Sequence, residues 1–274
     1  MDTTGLRSAA RIDDRSPPGV ALDRWWRVCA TGFCFLSFGV GGTLLSFTMF
    51  PLLRLAAGSS TNARPLIRRA LRASFRFFIG MMRMVGVLTY EVRNGDRLLA
   101  PGQLIVANHP TLLDIVFLLS LIPDATCVVK RGLWRNPFLR WPVAWAGYIP
   151  NSECESLVAD SAATLRNGHS LVMFPEGSRT TPGQPMALKR GAAQVALASG
   201  APVLPVTISC VPLSLTKTNP WYRVPSRPMH YTITAHPVLA ATHCDRRLRA
   251  PVAARRLTRE LAGLLAPESR PSSL

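Results

Sequence analysis

The chain has 274 residues, enough for one sizeable hydrophobic core and some accessory segments, and its composition is 48% hydrophobic but only 17% charged. Lysine and arginine outnumber aspartate and glutamate by 32 to 15, so the net charge of +17 favours an anionic partner such as phospholipid head groups, nucleic acid or a phosphorylated substrate. The six cysteines form no C-x-x-C pair and no Cys/His group with zinc-finger spacing, which argues against a zinc finger or a disulfide framework.

The N-terminal part of the chain combines a polar tail with a long apolar run. Residues 1–27 are predicted to be the tail. Residues 28–54 are predicted to be a membrane anchor, because 26 consecutive residues carry no charge and that length can cross a bilayer. Several glycines and a proline interrupt the run, so a re-entrant hairpin and a buried core helix are alternatives to a single span. These residues are Gly39, Gly41, Gly42 and Pro51.

A basic amphipathic helix is predicted over residues 55–86, directly after the anchor. Arginines recur at every fourth position on one helical face, and apolar side chains form a second stripe. The arginines are Arg64, Arg68, Arg72 and Arg76, and the apolar side chains are Leu71, Phe75, Phe78 and Met82. Such a helix beside an anchor is typical of the surface of an anionic membrane. The alternative is a solvated arginine face on a globular helix.

Residues 87–242 alternate short β-branched runs with helical stretches, which predicts an α/β fold with a largely parallel central sheet flanked by helices. Strands are predicted in VLTYEV, QLIVAN, TCVVK, SLVMF, PVLPVTIS and HYTITAHPV, and helices in PTLLDIVFLLSLI, LVADSAATLRNG and GAAQVALASG. Several strands are apolar throughout, as expected where both faces of a sheet are covered. Residues 243–274 are predicted to be a basic, largely helical C-terminal tail.

The stretch VANHPTLLDIVFLL places a histidine after a strand and an acid five positions later. His109 is expected at the carboxyl end of the strand, where catalytic groups collect in open α/β sheets, and Pro110 is expected to open a helix that carries Asp114. Histidine is the natural base near neutral pH, and the aspartate can accept the Nδ1–H and free Nε2. By spacing alone, an ordinary strand–turn–helix junction is an equally good interpretation.

A second polar loop follows the strand LVMF, in the sequence FPEGSRT. Backbone N–H groups, hydroxyls and a guanidinium in a glycine-containing turn can together bind one phosphate. The candidate residues are Glu176, Gly177, Ser178 and Arg179. Taken alone, the loop could equally be an ordinary polar connection.

The blocks NHPTLLD and FPEGSRT lie about 65 residues apart, with two further blocks at 128–150 and 188–208. In this order they resemble the signature blocks of the 1-acylglycerol-3-phosphate (lysophospholipid) acyltransferase family, over residues 85–212. The resemblance implies that His109 is the general base and that Asp114 orients it. It also implies direct passage of the acyl group from a thioester to the acceptor hydroxyl, without a covalent acyl-enzyme.

The same resemblance implies a substrate pocket in which Arg179 binds the acceptor phosphate and Lys130 supplies a second cation. The other residues expected in this pocket are Glu176, Gly177, Ser178 and Thr111. No metal or cofactor is implied, and the co-substrate is an acyl-coenzyme A or acyl carrier protein thioester.

The expected partners are membrane phospholipid, this acyl donor and a lysophospholipid-like acceptor. Nucleic acid is not expected, because the sequence contains no DNA- or RNA-binding motif. The basic segment after the anchor should stay cytoplasmic. The expected location is therefore the bacterial inner membrane, with the catalytic domain on the cytoplasmic side.

The chain departs from the family pattern at one place. Many relatives carry an arginine after the apolar strand of the intervening block, where this chain has Asn151 or Ser152. The same chemistry on a non-glycerophosphate lipid acceptor is therefore an alternative, and residues 130–152 also resemble a bacterial subset associated with aryl polyene lipids. A non-catalytic basic membrane-binding protein is the alternative from a different functional class.

Overall fold

A computed structural model describes residues 18–135, 140–151, 154–181, 184, 186–240 and 249–266. The strands are β1 Leu88–Arg93, β2 Leu104–Ala107, β3 Ala125–Lys130, β4 Ile149–Asn151, β5 Ser170–Met173, β6 Val203–Val211 and β7 Met229–Ala235. The helices are α1 Pro18–Phe47, α2 Met49–Ala56, α3 Ser60–Met84, α4 Asp114–Leu121, α5 Gly132–Arg135, α6 Arg140–Trp145, α7 Cys154–Arg166, α8 Gly191–Ser199 and α9 Ala250–Leu265, with a 3₁₀ turn at Gly95–Leu99.

The strands form one sheet in the order β1-β7-β6-β2-β5-β3-β4. Neighbouring strands are parallel except β6 and β7, which are antiparallel. The predicted α/β fold with a largely parallel sheet is therefore confirmed. The central strands β2 and β5 are buried along their whole length, as their continuous apolar sequences predicted.

Helices cover both faces of this sheet, and alternate residues of each strand face opposite layers. In β2, Ile105 and Ala107 join a core with α3 and α4, while Leu104 and Val106 join a second core with α7, α8 and α9. Both faces of the central strands are therefore excluded from water, and polar side chains can be exposed to solvent at the ends of these strands.

The N-terminal helices form an arm that packs against the domain. α1 begins at Pro18, so the predicted polar tail ends ten residues earlier than expected, and residues 1–17 lie outside the described part of the chain. α1 passes through Gly39, Gly41 and Gly42 without a break, and Thr48 separates it from α2.

Much of the outer face of α1 and α2 consists of exposed apolar side chains. They are Trp25, Trp26, Phe33, Leu36, Phe38, Val40, Leu44, Phe47, Leu52 and Leu55. The stretch from Asp23 to Ala56 is long and apolar enough to cross a membrane, and it is the one such stretch within the described residues.

The arginine stripe of α3 does not lie where the sequence pattern placed it. Arg68 is buried, and its guanidinium donates to the Ala146 carbonyl at 2.8 Å and pairs with Asp124 at 3.1 Å. Arg72 donates to the carbonyls of Ser120 and Leu121 at the end of α4. The prediction that the stripe faces a membrane was therefore wrong for these two arginines, because α3 packs along α4 and its arginines supply donors to unpaired carbonyls.

The helix α9, which lies in the predicted C-terminal tail, packs into the second core of the domain. α9 places Ala254, Leu257, Leu261 and Leu265 in the core formed with α7 and α8, and its arginines face solvent. The domain therefore extends to Leu265, and residues 241–248 and 267–274 lie outside the described part of the chain.

Candidate active site

His109 and Asp114, the predicted acid–base pair, lie together at the carboxyl edge of the sheet. His109 follows β2, and its Nδ1 lies 2.8 Å from Oδ2 of Asp114. The imidazole is mostly covered, with 19% of its side chain exposed, and it stacks on the ring of Phe174 at a centroid distance of 4.2 Å. Because the carboxylate accepts the Nδ1–H, Nε2 is the nitrogen that can take a proton from a substrate.

The helix that carries Asp114 begins later than predicted. Pro110 to Leu113 form a turn, and Asp114 is the first residue of α4 rather than a residue one turn inside it. The carboxylate folds back on this turn. It accepts hydrogen bonds from the backbone N–H of Thr111 at 2.7 Å and from the Thr111 hydroxyl at 2.6 Å.

Asp114 is fully buried, and this burial raises the pKa of its carboxyl above the ordinary value. The hydrogen bonds from His109 and Thr111 act in the opposite direction, because they favour the ionised form. The carboxylate is thus removed from water, and its ionised form is stabilised by these few hydrogen bonds. The bond to His109 in turn fixes the orientation of the imidazole.

Thr111 was expected to line the substrate pocket, and the structure places it beneath the His–Asp pair. The residue is fully buried, and its hydroxyl accepts from the hydroxyl of Tyr231 at 3.1 Å while it donates to Asp114. Thr111 therefore positions the acid–base pair. Tyr231 was missed from sequence because it lies outside all four blocks, although the alternating pattern of β7 predicted its burial.

Hydrogen bonds join the two polar loops directly. Oε1 of Glu176 accepts from the backbone N–H of His109 at 2.9 Å and from the hydroxyl of Thr180 at 3.0 Å. The backbone N–H of Thr180 in turn donates to the His109 carbonyl at 2.8 Å. The carboxylate of Glu176 thus joins the two loops, and the FPEGSRT loop lies beside His109.

The rest of this loop carries one cation, Arg179, and a second, Lys189, lies against its Gly177 turn. Gly177 has a φ of +70°, and a Cβ at this position would lie 3.0 Å from Nζ of Lys189, so a side chain would be strained and would crowd the lysine. Arg179 is half-buried, and its Nη1 donates to the carbonyls of Leu215 and Thr216 at 3.1 and 3.0 Å. Ser178 is half-buried. Lys189 was missed, although it lies in the LKRG sequence of the last block.

Lys130 and Asn151 end two neighbouring strands at the same edge of the sheet as His109. Both side chains are exposed, at the ends of β3 and β4. Lys130 therefore lies two strands away from the His109 strand, while Ser152 lies outside the described residues. The described residues contain no group of three or more His, Cys, Asp and Glu side chains that could hold a metal ion.

Fold and site together define an α/β protein with a His–Asp pair at the carboxyl edge of a largely parallel sheet. Residues 89–209 match the family model described as Acyltransferase. The chain is 30% identical over 173 residues to a 1-acyl-sn-glycerol-3-phosphate acyltransferase of Pseudomonas aeruginosa, covering 61% of this chain and 64% of that protein. It is 27% identical over 147 residues to the human 1-acyl-sn-glycerol-3-phosphate acyltransferase beta, covering 50% and 49%.

A solved structure has the same fold. The 1-acyl-sn-glycerophosphate (LPA) acyltransferase PlsC from Thermotoga maritima matches with a TM-score of 0.66 at 17% identity, covering 90% of this chain and all of that one. The chain spans less than two thirds of the length of the two curated relatives. The match to the Acyltransferase family model is confined to residues 89–209, less than half of the chain.

Proposed function

We propose that this protein transfers a fatty or related acyl group from an acyl thioester to the free hydroxyl of a lysophospholipid-like acceptor at a membrane surface. The observation that carries the proposal is the 2.8 Å hydrogen bond between His109 and Asp114, formed beside the FPEGSRT loop. The names of the curated relatives support a 1-acyl-sn-glycerol-3-phosphate acceptor.

In the proposed step, Nε2 of His109 takes the proton of the acceptor hydroxyl as that oxygen attacks the thioester carbonyl. The carbon–sulfur bond then breaks, and the imidazolium returns the proton to the leaving thiolate. Asp114 stabilises the imidazolium and fixes its tautomer. A thiolate is a good leaving group, so activation and positioning of the hydroxyl supply much of the rate.

The acceptor phosphate would be bound by cations at the same edge of the sheet. Arg179 follows the Gly177 turn by two residues, Lys189 lies against that turn, and Lys130 is exposed two strands from β2. Two of the guanidinium's hydrogen bonds go to backbone carbonyls, which fixes the position of the charge. A non-glycerophosphate lipid acceptor is the alternative, because Asn151 ends β4 without a positive charge.

The proposed location is the cytoplasmic face of a bacterial inner membrane. The exposed apolar face of α1 and α2 supports membrane attachment. The acyl donor would be acyl-coenzyme A or an acyl carrier protein thioester from the cytoplasm, with no other cofactor and no nucleic acid partner.

The test is acyl transfer by the purified full chain and by its His109→Ala variant, with lysophosphatidic acid and other lysolipids as acceptors. Loss of the general base should lower kcat about 100- to 10,000-fold. The matched control is His230→Ala, since His230 is exposed on β7 and bonds to Thr89. Full activity of His109→Ala would contradict the mechanism, and a wild-type protein that binds vesicles but transfers no acyl group would favour a non-catalytic membrane-binding protein.

A further inference from the structure

The connection between β6 and β7, residues 212–228, lies across the catalytic edge of the sheet. The backbone N–H of Leu112, in the turn after His109, donates to the Leu215 carbonyl at 3.0 Å. Arg179 donates to the carbonyls of Leu215 and Thr216 from the other polar loop. This β6–β7 segment is therefore joined to both loops that form the site.

The other part of the β6–β7 segment packs on the N-terminal arm. The ring of Trp221 lies 3.3 Å from where a Cβ on Gly32 would be, and its centroid is 6.5 Å from that of Phe35 in an edge-to-face arrangement. The buried guanidinium of Arg27 donates to the Ser226 carbonyl and pairs with Asp23. The segment thus connects the apolar helix α1 to the active site.

Although the segment is ordered by these contacts, it exposes large apolar side chains. Leu213 is 43% exposed, Trp221 48% and Tyr222 56%, and on α1 the neighbouring Trp25 and Trp26 are also exposed. Leu215 and Thr216 are buried, so the exposed side chains project from a fixed backbone. Aromatic residues in such a position, between an apolar face and water, are typical of a membrane interface.

The charge of the segment specifies the kind of surface that it would contact. Lys217, Arg223 and Arg227 are all exposed, and the sequence contains no acidic residue between Glu176 and Asp245. Basic and aromatic side chains together match anionic phospholipid, in which head groups attract the cations and the interfacial region accepts the rings.

We propose that the β6–β7 segment is a second membrane-contact surface, in addition to the α1–α2 anchor on which it packs, and that its partner is the head-group region of an anionic phospholipid bilayer. The contact sets the active-site edge against the interface, so that a lysolipid can reach His109 while its chain stays in the membrane. This inference rests on the proposed function, since it concerns how the lipid acceptor enters that site.

The position of the segment can be measured with a fluorescent probe. Tyr222→Cys is labelled with an environment-sensitive fluorophore, in full-length protein whose Cys29, Cys154 and Cys244 are replaced by Ser, and reconstituted in phosphatidylglycerol-containing vesicles. The control is the same label at Val238→Cys. Val238 is 46% exposed and lies beside Leu239, which pairs with Val203 at the opposite end of the sheet.

The Tyr222 probe should shift to shorter wavelengths and be quenched by lipids spin-labelled near the head group, while the Val238 probe should report water. Equal spectra of the two probes, both typical of water, would overturn the proposal.

Activity is measured on the double variant Leu213→Asp with Tyr222→Asp. This variant removes two apolar contacts and adds two negative charges, which anionic lipid repels. Transfer to an acceptor embedded in anionic vesicles should fall about tenfold. Transfer to a short-chain acceptor dissolved as monomers should stay within about twofold, because the acid–base pair is unchanged. Val238→Asp should leave both activities unchanged, and equal loss in both assays for the double variant would overturn the proposal.

Failure of this inference is distinguishable from failure of the proposed function. If wild-type protein transfers no acyl group to any acceptor, the result contradicts both the proposed function and this inference. Wild-type protein that transfers normally while its Tyr222 probe stays in water removes only the membrane-contact surface.

Discussion

Thr111 lies at the centre of the hydrogen bonds that position the acid–base pair. Its hydroxyl donates to Asp114, and it accepts from the Tyr231 hydroxyl and from the backbone N–H of Leu113. Burial raises the pKa of Tyr231 far above its ordinary value, so its hydroxyl remains a donor throughout the physiological range. A series of hydrogen bonds thus connects Tyr231 through Thr111 and Asp114 to His109.

Thr111→Val should lower kcat about 10- to 100-fold with little change in KM. Valine has nearly the same shape, but it leaves a buried carboxylate oxygen without a hydrogen bond, and such a bond to a charged group contributes about 1.5–3 kcal/mol. Steady-state kinetics with a lysophospholipid acceptor measures the effect. Thr111→Ser retains the hydroxyl and should keep most of the activity, so an equal loss in both variants would show that the methyl group matters instead.

At the scale of single residues, the sequence predicted which side chains would lie together. It did not predict which other residues would hold them in place by hydrogen bonds. The block NHPTLLD identified His109 and Asp114, because a strand end followed by a turn brings groups five positions apart together. The role of Thr111 could not be predicted, since it depends on a tyrosine 120 positions further along the chain. Glu176 was likewise predicted for the pocket, and its bond to the His109 backbone depends on the neighbouring strand.

At the scale of the elements, α3 is fastened to the domain by arginines. Arg72 supplies donors to the last carbonyls of α4, which have no partner inside that helix. Arg68 reaches the Ala146 carbonyl after α6 and also Asp124, which precedes β3. These two arginines tie the arm to the domain in addition to the apolar contacts of Phe78 and Met82.

Arg68→Ala should lower the free energy of unfolding by about 2–3 kcal/mol, because it leaves a buried carbonyl and a carboxylate without their donor. Chemical unfolding of the detergent-solubilised protein, followed by tryptophan fluorescence, measures the change. Arg69→Ala is the control, since Arg69 is the next residue and is exposed. Its effect should stay within about 0.5 kcal/mol, and similar losses for both variants would contradict the assigned role of Arg68.

The four-residue period of the arginines predicted their common face correctly but not what that face contacts. A guanidinium donates equally well to a lipid phosphate and to a helix carbonyl. Only the packing of α3 along α4 distinguishes the two, and that packing depends on side chains of both helices, including Ile79 and Leu118.

For the whole molecule, the C-terminal helix completes the core. α9 covers the side of the sheet that carries α7 and α8, and its leucines pack with Leu104 and Val203 of the central strands. The sequence predicted the helix, but its many arginines suggested a separate basic tail. The leucines at 257, 261 and 265 recur at every fourth position and were the signal for a buried face.

Leu261→Ala should destabilise the domain by about 2–5 kcal/mol, because it removes a nearly fully buried side chain and leaves a cavity between α9 and its neighbours. The same unfolding experiment measures the effect. Arg259→Ala, on the exposed face of α9, should change stability by less than about 0.5 kcal/mol. A dispensable tail would instead give small effects for both variants.

The order of strands and helices, and the largely parallel sheet, could be predicted from the alternation of apolar runs. The reversal of direction at β7 and the pairing of β7 with β1 could not, because both strands show the same alternating pattern whichever neighbour they take. Long-range pairing depends on how the complete sheet fits together rather than on any local stretch.

The position of β1 has a consequence for synthesis of the chain. β1 lies at the edge of the sheet, and its partner is β7, with paired residues 141 positions apart. The ribosome therefore releases the apolar arm and β1 long before β7 exists. During that interval, β1 has an unpaired backbone edge while the arm is already available to the membrane. We expect the nascent chain to depend on early membrane attachment or a chaperone, which shields this edge until the last strand arrives.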